Sequence, residues 1–303
     1  MEPAEIAAGF FAAAVRVATP LLLAATGETI AQRSGVINLG LEGVMLTGAL
    51  AAALGASASG PWTGVALAVA SGMALAGVFA LVTVGARADQ IIAGTAVTLG
   101  AIGLTGTVYR QAFGAAGAGL DLPTLSPVVL PVLSSIPVLG PALFAQPAPT
   151  YIGLAAVPAV WWFLFRTRSG LALRATGEAA EVARAAGVPT RLVRAAATVV
   201  GGGFTGLAGA TLVLAQVGTF AERMTAGRGY VAIAIVVLGR WHPAGVALAS
   251  LVFGAAMALQ FLFQTLGLDV PYQLFLMLPY VLALLALGGA VGRVRAPGDL
   301  GRA

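Results

Sequence analysis

The sequence predicts an all-α polytopic membrane protein of about 8–9 transmembrane helices, some short or discontinuous, with a charged, partly helical loop on the cytoplasmic side. Three observations predict it. Of 303 residues, 59% are hydrophobic and only 9% are charged, against about 25% charged in soluble domains, so the charges are too few to cover a water-facing surface. The apolar residues run on in long blocks rather than alternating, which selects helices over a barrel. The stretch Arg166–Arg194 holds six of the sixteen arginines; residues 111–165 carry no basic group and residues 195–221 no charge of either sign. A basic loop between two apolar blocks marks the cytoplasmic side.

The elements follow in order, at about 20 apolar residues per span. Ala8–Ala25 is the first span, interrupted by Arg16 and Pro20. Residues 27–43 form a polar, glycine-rich stretch. Gly43–Ala86 is charge-free and holds two spans, broken at Gly60-Pro61. Asp89 closes the next loop, and Gln90–Tyr109 is another span. Residues 111–148 contain Asp121 as their single charge and prolines at 123, 127, 131, 137, 141 and 147. That density forbids a straight span and predicts an extracytoplasmic loop lying partly in the interface, with a short re-entrant helix. Pro149–Phe165 is a span, 166–194 the cytoplasmic basic loop, and Ala195–Gln216 a glycine-rich span. Tyr230–Leu238 is a short apolar piece between Arg228 and Arg240. Pro243–Leu266 and Pro271–Gly289 close the set, followed by Arg293, Arg295 and Arg302.

With Arg166–Arg194 inside, Arg33, Arg87, Arg240 and the final arginines also fall inside. The acidic start and the 111–148 loop fall outside. This arrangement requires nine crossings, counting the 229–240 piece as one. The chain reads as one transmembrane domain, 1–303. Glu2 and Glu5 stand where a cleavable signal would be positive, which predicts a multi-pass protein of the bacterial cytoplasmic membrane.

Composition excludes several chemistries. All basic residues are arginine, so no Gly-x-x-x-x-Gly-Lys phosphate loop is present and the chain does not hydrolyse ATP by that route. It has no cysteine, and a single histidine, His242, makes no zinc cluster; no metal is expected. A pI of 10.4 suits nucleic acid, but the arginines sit between spans, where topology explains them. The expected surroundings are membrane lipid, with no nucleic acid.

Four constellations stand out. Glu28, Arg33 and Glu42 lie near membrane depth among Gly27, Gly35, Gly40 and Gly43. One reading is a discontinuous helix lining a permeation path, since unwound backbone is tolerated there only under cover of protein or water. The candidates for that path are Asn38, Glu42, Gln90 and Gln216. The other reading is a cytoplasmic turn whose carboxylates pair with Arg33. Second, residues 177–187 pattern as an amphipathic helix, with Glu178 and Glu181 near its start and Arg184 in its last turn, as the dipole favours. Gly187-Val-Pro189 stops it. Its shallow face of Ala179, Val182, Ala183 and Ala186 fits either a groove in a partner or the ends of the chain's own spans. Third, Gly202 and Gly206, with Ala210 on the same face, form a small-residue helix-packing stripe. Fourth, Thr98, Thr105, Thr107, Gln216, Gln260 and Gln264 are neutral hydrogen-bonding groups within spans; they suit a polar uncharged solute and equally serve as interhelical ties. An intramembrane serine protease would need serine and histidine face to face; the serines of 55–60 and His242 fall on opposite sides.

Five motifs then match in order. Arg33-Ser-Gly-Val-Ile-Asn-Leu-Gly-Leu-Glu-Gly43, Ala88-Asp-Gln-Ile-Ile-Ala-Gly-Thr95, and Leu171-Ala-Leu-Arg-Ala-Thr-Gly-Glu178 continuing to Gly187 are the first three. Arg228-Gly-Tyr-Val-Ala-Ile-Ala234 and Leu238-Gly-Arg-Trp-His-Pro243 complete the set. Together they resemble the permease subunits of ABC importers for nucleosides and simple sugars, over roughly residues 27–290. The resemblance implies a non-enzymatic subunit that binds no cofactor. It would pair with a homologous second permease subunit, in a homo- or heterodimer, and with two ATPase subunits that use the ATP. A solute-binding protein or lipoprotein would deliver solute from outside. The residues it assigns to ATPase coupling are Arg174, Gly177, Glu178, Glu181, Ala183, Arg184 and Gly187. The family pattern often has Asn-Pro where this chain has Ala179-Ala180, which leaves the helix start less sharply set. The competing expectation is an ion-coupled secondary transporter, which needs buried carboxylates; Glu28, Glu42 and Asp89 are its candidates.

Overall fold

The computed structural model describes residues 3–114, 121–131, 133–136, 139–265, 277–278, 281, 284–285 and 295–302. The expected span 271–289 and Arg293 lie almost wholly outside them, as do the side chains of Gln260 and Gln264.

Six described helical segments are long and apolar enough to cross a membrane. Helix α1 covers Pro3–Arg33, α2 Leu41–Ser59, α3 Pro61–Ala80 with a π-turn at Leu81–Gly85, and α4 Gln90–Phe113. Then come strand β1 (Pro127–Val129), α5 (Leu139–Leu143), strand β2 (Ala145–Pro147), α6 (Ala148–Arg166), α7 (Arg168–Glu178) and α8 (Ala180–Ala185). The remaining elements are α9 (Thr190–Thr211, extended by a π-turn at Leu212–Val217), α10 (Arg228–Leu238) and α11 (Pro243–Thr265). β1 and β2 pair antiparallel, a small departure from an all-helical chain within the proline-rich loop.

Several boundaries differ from the sequence expectation. Pro20 does not interrupt the first span: α1 runs through it for 31 residues. A proline at position 20 removes the amide that would reach the carbonyl of residue 16, and the side chain of Gln216 replaces it, donating Nε2 to Arg16 O at 2.6 Å. The 27–43 stretch is divided, with 27–33 ending α1 and 34–40 non-helical. The 177–187 helix is also divided. Its first two residues close α7, Ala179 is extended (φ −158°, ψ 88°), and α8 has only six residues. The break at Gly60-Pro61 falls where expected, with Gly60 at φ 93° and the proline opening α3.

Helix α9 is the axis around which α1, α2 and α3 pack. Small residues make this possible. A Cβ built on Gly206 would collide with the Ala68 carbonyl oxygen, and one on Gly27 would come within 2.6 Å of the Gly201 carbonyl oxygen. Backbones meet directly, as in small-residue membrane interfaces. Leu21, Leu23, Met45, Leu212, Ile235 and Phe253 fill the core between α1, α2, α9, α10 and α11. Helix α10 spans 11 residues, or about 16 Å, half of a bilayer's roughly 30 Å core. The non-helical segment 218–227 precedes α10. Arg33, Arg87, Arg166, Arg194 and Arg240 gather at one end of the bundle; Arg110 and Glu222 meet at the other, 3.6 Å apart.

Candidate functional site

Between α1 and α2 the chain turns at the arginine-rich end and re-enters the bundle without helical structure. Gly35 (φ 97°) makes the turn, where a side chain would be strained. Val36 is fully buried. The backbone amides of this segment are met by side chains: Ile37 N by Gln90 Oε1 at 2.8 Å, Asn38 N by Glu28 Oε1 at 3.0 Å, and Gly40 N by Asn38 Oδ1 at 3.0 Å. Buried amides require such partners. Gly40 lies against Val97, seven residues into α4 and so about 10 Å from its start.

Helix α2 therefore begins within the bundle, and α10 begins beside it. Glu42, in the first turn of α2, accepts from Gly229 N (2.7 Å), Gly227 N (2.8 Å) and Thr225 Oγ1 (2.6 Å). Its carboxylate thus sits on the first turn of α10, where the helix dipole favours negative charge. Both helices start from one point, with the carboxylate between them.

Below this point a second network joins α1 to the α10–α11 turn. Trp241 Nε1 donates to Gln32 Oε1 (2.6 Å), and Gln32 Nε2 donates to Glu28 Oε1 (2.8 Å). Glu28 is only 1% exposed. Arg33 turns away from both carboxylates: its Nε donates to Trp241 O at 2.8 Å and its guanidinium lies 5.9 Å from the Phe165 ring centre. Among the described residues the expected pairing of Arg33 with Glu28 or Glu42 does not form. Of the two readings of 27–43, the discontinuous helix describes the backbone. Asp89 caps α4, accepting from Ile91 N (2.8 Å) and Ile92 N (3.0 Å).

The proposed path residues therefore divide. Asn38, Glu42 and Gln90 come together around the break, and each accepts hydrogen bonds from backbone amides. Gln216 lies away from them, at Arg16. Thr105 and Thr107 bond back to carbonyls of their own helix, at 2.7 Å and 2.9 Å, and Thr98 makes a long 3.4 Å contact with Leu39 O.

The segment expected to couple, α7 and α8, sits directly behind the break. Gly177, in the last turn of α7, is packed so closely on Arg33 O that no side chain fits, and the same built Cβ lies 3.1 Å from Gly35 N. Arg174 Nε donates to Leu164 O at 2.9 Å, and its guanidinium stacks 4.9 Å from the Phe165 ring. On α8 the expected apolar face is split: Ala183 is buried, whereas Val182 is 70% exposed. Glu181 and Arg184 face outward, and Gly187 (φ 85°) ends the segment. Glu178 lies at the C-terminal end of α7 rather than in the first turn of α8, so the dipole argument holds for Glu181 and not for Glu178. A cavity of about 530 Å³ lies under α8, lined by Arg87, Gln90, Glu181, Arg191, Arg194 and Asp299 among others. Gln90 thus reaches from the break to the coupling segment.

The sequence reading missed Gln32, Thr225, Trp241 and Asp299. Trp241 stands inside a recognised motif and Thr225 beside one, a weak signal for the two networks. Nothing local marks Asp299. His242 packs beside Phe165 at the arginine-rich end, and Ser57 and Ser59 close α2 at the other, so no serine–histidine pair exists there.

The comparisons agree with this architecture. A family model described as "Branched-chain amino acid transport system / permease component" matches residues 10–287. The putative glucose ABC transporter permease protein TsgC13 of Haloferax volcanii is 41% identical over 87% of this chain and 80% of its own. The guanosine ABC transporter permease protein NupQ of Bacillus subtilis is 34% identical, covering 92% and 91%. The nucleoside ABC transporter permease protein NupC of Lactococcus lactis is 32% identical, covering 92% and 91%. No solved structure matches the chain. The chain belongs to this ABC transporter permease family and is a multi-pass membrane protein.

Proposed function

We propose that this permease subunit forms half of the translocation path for a nucleoside or simple sugar in an ABC importer of the bacterial cytoplasmic membrane. A second homologous permease subunit forms the other half. Two ATPase subunits dock on the arginine-rich face and consume ATP, and an extracytoplasmic binding protein delivers solute to the opposite end. The permease itself carries out no bond chemistry.

One observation carries the reading. A short helix, α8, presents Glu181 and Val182 outward from the arginine-rich end, and the turn before it touches Arg33 and Gly35 of the break. Force applied to α8 reaches the point where α1 ends and the chain re-enters the bundle. The basic end is the cytoplasmic one by the charge rule, which is where an ATPase would be. The nucleoside and sugar classes come from the relatives' names. The ion-coupled alternative is disfavoured by the relatives, which are named as ABC transporter permeases.

Affinity purification of the chain from its native membranes in mild detergent tests the docking. An ATP-hydrolysing subunit is expected to copurify, and Glu181→Arg is expected to lose it while insertion into the membrane continues. A chain that purifies without any ATPase, or a variant that keeps it with full transport, contradicts the assignment.

A further inference from the structure

The helix on which ATPase docking is proposed has no cap of its own. Position 179, which flanks its first turn, is alanine, and no local side chain reaches the free amides there. Helix starts without such a partner are disfavoured. The missing group comes from 119 residues away. Asp299 Oδ2 accepts the Ala180 amide at 2.6 Å.

The rest of segment 295–302 shows that this contact is one stitch of several. Asp299 N donates to Gly177 O at 2.8 Å, and Gly301 N donates to Gly35 O at 3.0 Å. Arg194 of α9, only 7% exposed, donates Nη1 to Arg302 O at 2.9 Å and Nε to Ser34 O at 3.2 Å. Gly298 packs on Glu178 O with no room for a side chain. The segment thus bonds to both sides of one junction: the α7–α8 turn that the docking reading makes the input, and the 34–35 turn that opens the break.

We infer that segment 295–302 is a strap that sets the coupling helix, with Asp299 as its positioning residue: it caps α8 in place of residue 179 and ties α8 to the break. The inference rests on the docking reading for its consequence, transport, but its geometry stands independently. When an ATPase subunit moves α8, the strap makes α8 and the 34–35 turn move as one body. Without the cap, α8 frays and part of that motion is lost.

The chain contains no cysteine, so paired cysteines report on the strap without background from the chain itself. In the assembled importer in native membranes, Ala179→Cys with Asp299→Cys is expected to give an intramolecular crosslink with a short thiol-reactive linker. Asp299→Ala is expected to lower solute uptake per ATP hydrolysed about five-fold, the change that loss of one helix cap produces. Basal ATP hydrolysis by the copurified ATPase is expected to stay within about two-fold. Adding Ala179→Asn, which restores a local cap, is expected to recover most of the uptake. Absence of the crosslink, or unchanged uptake per ATP in Asp299→Ala, overturns the inference while ATPase copurification remains intact. A crosslink formed in a chain that binds no ATPase would instead overturn the docking reading and leave the strap geometry standing. If Asp299→Ala fails to assemble, rescue of assembly by Ala179→Asn supports the capping role and failure of rescue overturns it.

Discussion

The side chain of Gln216 donates to the carbonyl oxygen of Arg16 at 2.6 Å, the oxygen that Pro20 leaves without a helical amide. A proline inside a membrane helix is tolerated when a neighbouring group satisfies the freed carbonyl. Here α9's π-turned end carries that group across to α1. The pairing accounts for the unbroken course of α1 and for the position of Gln216, far from the break it was first associated with.

A double-mutant cycle tests this pairing. Gln216→Ala is expected to lower stability by about 1–2 kcal/mol, the usual cost of an unpaired polar group of this kind. In a Pro20→Ala background residue 20 supplies its own amide, and the same substitution is expected to cost less than half as much. Thermal unfolding of the four proteins in one detergent gives the coupling energy.

Close backbone contact predicts a sharp contrast between two glycines. Gly206→Ala places a Cβ on the Ala68 carbonyl and is expected to lower the melting temperature by several degrees through overpacking of about 1–3 kcal/mol. Gly100→Ala meets nothing within 4 Å and is expected to be neutral or to stabilise α4 by up to about 1 kcal/mol. Equal effects at the two positions would remove Gly206 from the α3–α9 contact.

Glu42 is expected to be the most costly of the polar groups to remove. Glu42→Ala leaves Gly227 N, Gly229 N and the Thr225 hydroxyl without the acceptor they share. At about 1–3 kcal/mol per buried unpaired donor, the first turns of α2 and α10 come apart. Glu42→Gln keeps one of the two acceptor oxygens and sets an amide NH2 in place of the other, and is expected to fall between the two. Proteolytic susceptibility of the 218–227 segment in membranes orders the three proteins.

The Trp241 network gives a fourth expectation. Trp241→Phe retains most of the buried ring but removes the donor to Gln32 Oε1. A loss of about 1–2 kcal/mol is expected, and Gln32→Leu is expected to cost less in that background than in the parent, its bond to Glu28 being lost in both. Unfolding by a denaturing detergent measures both.

Much of the fold was legible because its signals are local. Gly60-Pro61 carries both halves of a turn, and Asp89 sits one residue before the helix it caps. The 111–148 loop announces itself by proline density. What the sequence hid lies where a partner is distant in the chain. Pro20 reads as an interruption because its remedy, Gln216, is 200 residues from the Arg16 carbonyl it serves. The start of α8 was placed near Gly177 because no local cap marks Ala180, and Asp299 supplies one from the far end. The polar stretch 27–43 was readable as unusual, but its carboxylates looked like partners for Arg33. They serve backbone amides instead, because an unwound segment inside the bundle needs acceptors more than an arginine at the end does.

Solute uptake into proteoliposomes is the most direct test of the account. The chain is reconstituted with its homologous permease partner, with and without the ATPase subunits, and uptake of labelled guanosine, uridine and glucose is followed. Uptake is expected only when the ATPase subunits, ATP and the cognate binding protein are all present, and a proton or sodium gradient is expected to drive none. Gradient-driven uptake by the permease alone would contradict the account.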